Sequence, residues 1–151
     1  MSPTTRPCVL CVDDDGDSRV MLVTLLRHEL LEAKAVGTAA QAISSIQTER
    51  FDLYLLDSRL PDLDGFDLCR RIRDVDQETP ILFFSGAARE TDQKKALDAG
   101  ANAYVIKPEI PILIETITQF VGQTETAMAQ VVPFRPKMSS YPNLAGGPSA
   151  A

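Results

Sequence analysis

Apolar residues fall in five short runs, each separated from the next by a stretch of helical period. Residues 8–12 (CVLCV), 34–36, 51–56, 81–84 and 103–106 read as strands. The segments LYLL and ILFF carry no polar alternation, the pattern of parallel strands covered on both faces. Between the strands, residues 17–32, 39–49, 65–75 and 91–99 have helical spacing, and residues 110–121 predict a last helix. Five strand–helix repeats at this interval predict a doubly wound α/β domain.

Several helix ends are legible. Asp64 before GFD reads as an N-cap with an acidic residue at N3. Gly100 fits the left-handed position after a helix end, and Pro111 suits a first turn. In the first helix, VMLVTLL places Leu22, Leu25 and Leu26 on one face, the expected core stripe. Val20 lies opposite them with Thr24 and Arg27, and Val23 sits on the flank. Val20 and Met21 then form a small exposed apolar patch, which can mark a protein contact.

Composition narrows the function. A chain of 151 residues, 44% hydrophobic and 24% charged, fits one soluble globular domain. Its net charge of −6 argues against direct nucleic-acid binding, which needs a basic face. No apolar run approaches the ~18 residues of a membrane span, and the segment before the first aspartates is too short for a secretion signal. The expected setting is the cytoplasm, with thiols reduced. Cys8 and Cys11 match C-x-x-C but lie three apart in a strand, pointing to opposite faces, and with Cys69 they read as plain core cysteines. The lone His28 reads as a surface residue. Residues 1–7 read as an extension. From Gly122 the chain turns rich in Pro, Ala and Ser and reads as a disordered tail, with an apolar VVPF that could dock in a groove.

The stretch CVDDDGDS packs four aspartates into five positions after the first strand. Two like charges about 4 Å apart repel by roughly 4 kcal/mol at an effective dielectric near 20, so the crowding has to serve something. A calcium-binding EF-hand loop fails, because Ser18 stands where Gly is needed and Thr24 where Glu is needed. A D-x-D phosphatase with Asp13 as nucleophile and Asp15 as acid stays open. A helix cap accounts for Asp17. The remaining reading uses distant residues, since ligand sites in open α/β sheets form at the carboxyl ends of strands. There the chain has Asp13 and Asp14, then Asp57, Ser85-Gly86 and Lys107-Pro108. Carboxylates in that number suit Mg²⁺, and the hydroxyl and lysine supply donors for a phosphoryl group.

VDDD, LLDSRLPDLDG, FFSG and AGANAYVIKP, in this order, resemble the receiver domain of bacterial two-component response regulators, from about Cys8 to Val121. The resemblance implies a five-stranded parallel sheet of order 2-1-3-4-5 flanked by five helices. It implies that Asp57 accepts phosphate from a phosphohistidine. Asp14 would be a direct Mg²⁺ ligand, Asp13 would hold a coordinated water, and the Arg59 backbone carbonyl would complete the protein's share of the metal shell. Lys107, joined to Pro108 by a cis bond, would bind the phosphoryl oxygens. Ser85 would move toward them, and Tyr104 would swing inward behind it. The fourth helix, fifth strand and fifth helix, with Lys94, Lys95 and Tyr104, would form the output surface. The implied partners are a histidine kinase or histidine phosphotransfer protein, docking near Val20 and Met21, and a downstream protein. Such a chain would be a single-domain regulator rather than an enzyme acting on other substrates. A receiver-fold interaction module that needs no phosphate is the other reading.

Overall fold

A computed structural model describes residues 6–126, with side chains through residue 122. The elements run β1 (Cys8–Val12), α1 (Gly16–His28), β2 (Glu32–Val36), α2 (Ala39–Thr48), β3 (Leu53–Leu56), α3 (Gly65–Val75), β4 (Ile81–Ser85), α4 (Glu90–Asp98), β5 (Ala103–Ile106) and α5 (Ile110–Thr126). The strands form one parallel sheet of order β2-β1-β3-β4-β5, as expected.

Alternate residues along each strand point to opposite faces, and both faces are covered. Leu10, Val12, Tyr54, Leu56, Ile81 and Phe83 pack against α2, α3 and α4 through Ala42, Leu68, Ile72 and Ala96. Val9, Cys11, Leu53, Leu55, Leu82 and Phe84 pack against α1 and α5 through Leu22, Leu26, Leu113 and Ile117. Burying each such Leu or Phe stabilises the fold by about 1.5–3 kcal/mol. This double cover explains why the central strands read as unbroken apolar runs. Leu25, expected in the core stripe of α1, is only half-buried, and Val23 is half-buried as well.

Strand β3 starts at Leu53 rather than 51, the ends of α2, β4 and α4 shift by one residue, and the larger differences lie around α1, β2 and α5. The N-cap of α1 is Asp15, not Asp17: its side chain accepts from the Ser18 amide at 2.8 Å, while Asp17 lies inside the first turn. The chain turns early because the Asp13 carboxylate accepts the Asp15 amide at 2.9 Å. At its other end α1 stops at His28 rather than running to 32. Leu30 takes a left-handed φ of 65°, and the Leu31 amide closes onto the Leu26 carbonyl at 2.9 Å. That reversal buries Leu31 and lets β2 start two residues earlier than expected. Helix α5 continues past Gly122 to Thr126, beyond the expected start of the tail. Residues 127–151, including the VVPF segment, lie outside the described residues. Gly100 has the expected positive φ of 113°.

The cysteines are free, with Cys8 half-buried and Cys11 and Cys69 buried. Burial pushes the Cys69 thiol up to about 11, and it raises the other two as well. They are poor nucleophiles. No helix among the described residues is long and apolar enough to cross a membrane.

Candidate phosphoacceptor site

Each of the expected site residues at a strand end arrives there because its strand stops. Val12 is the last residue of β1, so Asp13 and Asp14 follow at the sheet's carboxyl edge. Asp57 follows β3, Ser85 closes β4, and Lys107 follows β5. Parallel register puts these ends side by side, with Val12 opposite Leu56 and Ser85 opposite Ile106.

The carboxylates of Asp13, Asp14 and Asp57 each offer an oxygen within 4.8 Å of the others. Lys107 Nζ bridges two of them, donating to Asp13 at 2.9 Å and to Asp57 at 3.3 Å. Three carboxylates and one ammonium leave two negative charges unpaired within the cluster, the charge of one divalent cation. All the cluster's acceptors are oxygens, so the donor set fits Mg²⁺. Burial raises the affinity of Asp57 for a proton, Lys107 opposes this, and Asp13 reinforces it, leaving the carboxyl above its usual range. For Lys107, burial disfavours the charge, but the bond to Asp13 and the field of Asp57 win and hold the ammonium charged. The Lys107–Pro108 bond is cis.

Asp13 is nearly inaccessible, and both its oxygens are taken, one by the Asp15 amide and one by Lys107. Asp15 is committed to its cap. As a nucleophile Asp13, its side chain 3% exposed against 12% for Asp57, is the less accessible of the two, which disfavours the D-x-D phosphatase reading. Asp57 keeps one oxygen on the Ser58 amide at 2.7 Å and the other only on Lys107.

Ser85 is buried, and its hydroxyl lies 2.6 Å from that of Ser58 and accepts the Ala87 amide at 3.1 Å. Tyr104 departs from expectation. It is already fully buried, stacked on Phe83 at 5.8 Å, and donates its hydroxyl to the Ala87 carbonyl at 2.5 Å. Hence it neither awaits an inward swing nor contributes to an exposed output surface. The inward site is ready-made, because Phe66, Phe83 and Tyr104 form one stacked row. Lys94 and Lys95 are exposed on α4, and Lys95 lies over the Phe66 ring at 5.6 Å. Arg59 is exposed beside Asp57, while on α1 Val20 is 67% and Met21 36% exposed, as the docking patch requires.

The fold agrees with what is found among known proteins. The model of the response regulator receiver domain matches residues 9–119. This chain belongs to that family. The receiver is 37% identical over 108 residues to the DNA-binding response regulator MtrA of Mycolicibacterium smegmatis, covering 72% of this chain and 47% of MtrA. It is 30% identical over 136 residues to the transcriptional regulatory protein PrrA of Mycobacterium bovis, covering 87% and 58%. The chain thus spans about half the length of the curated relatives it matches. Among solved structures, a CheY-like receiver from Methanospirillum hungatei aligns with a TM-score of 0.76 at 28% identity, covering 82% of this chain and 99% of that one. A magnesium-bound receiver of the sensor histidine kinase PA1611 of Pseudomonas aeruginosa aligns at 0.72 and 29%, covering 78% and 99%.

Four residues around this receiver's site escaped the sequence reading. Ser58 contacts Ser85 across 27 positions. Gly65 packs its Cα against the Asp57–Ser58 backbone. Arg19 donates to the Asp13 carbonyl at 2.8 Å, and Asp62 accepts the Ala39 and Ala40 amides, both at 2.9 Å, tying the loop after β3 to the start of α2. Only Gly65, a glycine opening a capped helix, left any mark in the sequence.

Proposed function

We propose that this receiver accepts a phosphoryl group from a phosphohistidine onto Asp57 and so switches a protein-binding surface in two-component signalling. The observation that carries this reading is Lys107 held between Asp13 and Asp57 beside a third carboxylate. Asp57 Oδ attacks phosphorus, the P–N bond to the donor imidazole breaks with its electron pair, and the imidazole leaves after taking up a proton. The product is an acyl phosphate on Asp57 and a neutral donor histidine.

Lys107 loses its contact with the free Asp57 carboxylate as the acyl phosphate forms, and its ammonium is placed to follow the negative charge onto the phosphoryl oxygens. Asp14, Asp13, Asp57 and the Arg59 carbonyl would hold Mg²⁺, which neutralises charge on the transferred group. Ser85 would give the phosphoryl group a hydroxyl donor. The protein catalyses only its own phosphorylation and dephosphorylation, and its setting is the cytoplasm. Its upstream partner is a histidine kinase or phosphotransfer protein. The downstream partner is a protein that reads the surface around α4 and α5. The longer relatives are named for DNA binding and transcription; this chain's acidic balance favours protein partners.

Intact mass after incubation with acetyl phosphate and Mg²⁺ tests the reading. Wild type should gain one phosphoryl group and Asp57→Asn none, and Asp14→Ala should lose Mg²⁺ affinity and label far more slowly. Undiminished labelling of Asp57→Asn would overturn it.

A further inference from the structure

Ser58 follows Asp57 directly, and the phosphoacceptor reading gives its side chain no task. Yet it is 5% exposed, and its hydroxyl sits 2.6 Å from that of Ser85. Burial raises the pKa of the neighbouring Tyr104 hydroxyl, and hydrogen bonding with Ser85 and Ser58 opposes that rise. The Tyr104 proton is spent on the Ala87 carbonyl, and the Ala87 amide in turn donates to Ser85 Oγ. Three buried hydroxyls and one peptide unit thus form a closed cluster behind the site.

Counting protons orients the cluster. A serine hydroxyl has one proton to give and two lone pairs to receive. The Ala87 amide fills one lone pair of Ser85. If Ser58 donates, it fills the second, and the Ser85 proton is then left for an acceptor outside this pair. Before transfer the Tyr104 hydroxyl, whose pKa Ser85 influences, is the nearby polar group. After transfer a phosphoryl oxygen on Asp57 is the stronger claimant, because it is charged. A hydroxyl whose oxygen already accepts two bonds is also polarised to give its own proton more strongly.

We propose that Ser58 is a positioning residue: by donating to Ser85 Oγ it directs the Ser85 proton to the phosphoryl group on Asp57. This rests on Asp57 being the phosphoacceptor. It makes the residue after the acceptor part of the switch and accounts for a hydroxyl buried against that of Ser85.

Beryllium fluoride with Mg²⁺, a tetrahedral mimic of the phosphoryl group, is the probe. Its affinity is measured by titration for wild type, Ser58→Ala, Ser85→Ala, the double variant and Ser58→Thr, and Mg²⁺ affinity is measured alone for each. Ser58→Ala should bind the fluoride about fivefold more weakly, the loss of one neutral hydrogen bond. Mg²⁺ affinity should not change, and Ser58→Thr, which keeps the hydroxyl, should retain most of the fluoride affinity. The double variant should bind no more weakly than Ser85→Ala, since Ser58 acts through Ser85. Multiplying losses, unchanged fluoride affinity in Ser58→Ala, or a parallel fall in Mg²⁺ affinity would each overturn the proposal. Should Ser58→Ala not fold, Ser58→Cys, whose thiol is a weak donor, serves in its place with the same expectations. If wild type took up no fluoride, or Asp57→Asn took it up equally, the phosphoacceptor reading would fall too. Normal wild-type uptake with an unaffected Ser58→Ala would remove Ser58 alone.

Discussion

Replacing Gly65 with alanine should damage the site more than its single added methyl implies. Gly65 opens α3 against the phosphoacceptor loop, and its amide donates to the Ser58 carbonyl at 2.9 Å. A Cβ at this position would stand 2.1 Å from the Asp57 carbonyl oxygen and 2.8 Å from the Ser58 Cα. A carbon–oxygen contact needs roughly 3.3 Å, so the two segments have to part by about 1.2 Å. The obstructing atoms are backbone and cannot rotate aside. Overpacking of this kind costs about 1–3 kcal/mol, and weakening the Gly65–Ser58 hydrogen bond adds about 1 kcal/mol. Alanine's better helix propensity returns at most about 1 kcal/mol. The melting temperature should fall by roughly 10 °C. The chemistry should suffer more, because a displacement of about 1 Å at a reacting group can cost ~100-fold in rate. Circular dichroism melts and acetyl phosphate labelling followed by intact mass, at a temperature where both proteins are folded, measure the two effects. An unchanged melting temperature with wild-type labelling would refute the close approach.

Arg59, exposed two residues after Asp57, is long enough to lie over a phosphoryl group and hinder in-line attack by water. Arg59→Ala should therefore shorten the acyl-phosphate lifetime, followed by loss of the labelled mass over time. Val20→Glu and Met21→Glu alter the exposed patch on α1 without touching the carboxylate cluster. Phosphotransfer from the cognate kinase should fall while acetyl phosphate labelling persists; equal loss with both donors would mean a damaged helix. Partial burial pushes the Asp76 carboxyl up, but bonds from the Thr79 amide and hydroxyl and the Tyr54 hydroxyl outweigh it and draw it down to about 2. A depressed folded pKa contributes stability above the ordinary value near 4 and loses it as pH falls toward 2, so Asp76→Asn should lower the melting temperature at pH 7 and flatten its acid dependence below pH 4.

How much of this was readable in the chain follows from which forces act locally. Strands β3 and β4 were legible because both their faces are covered, leaving LYLL and ILFF without polar interruption. The edge strand β2 was legible only at its end, residues 34–36. It carries Glu32 and Lys34, and its start depends on Leu30 adopting a left-handed φ with no glycine to announce it. The first cap was misplaced by two residues because three neighbouring aspartates can each cap, and the choice falls to a bond between Asp13 and the Asp15 amide. The clustered carboxylates and Lys107 were legible as polar residues that end apolar runs. Ser58 and Asp62 act on partners far away in sequence, through loops that have no period. The resting position of Tyr104 was equally hidden, since it is set by stacking on Phe83 and a bond to Ala87.

The two ends of the sheet divide the work between stability and chemistry. At the carboxyl end, Asp13, Asp14 and Asp57 are brought together against their repulsion, and one lysine offsets only part of it. At the amino end the polar groups are mutually satisfied. The Asp76 carboxylate accepts from the Tyr54 hydroxyl at 2.8 Å, the Thr79 hydroxyl at 2.7 Å, and the amides of Thr79 and Glu78. Arg73 donates to the carbonyls of Asp76, Thr79 and Gly100 and to the Asn102 side chain, which itself accepts the Ile81 amide. These bonds join the end of α3 to the start of β4 and to the turn before β5. They fix the register of the strands whose far ends carry Ser85 and Lys107. A network whose members are all paired rigidifies its surroundings, whereas a crowded acid cluster strains them. Rigidity at the amino end therefore offsets the crowding at the carboxyl end, where the charge that Lys107 leaves unpaired is of the size one divalent cation would neutralise.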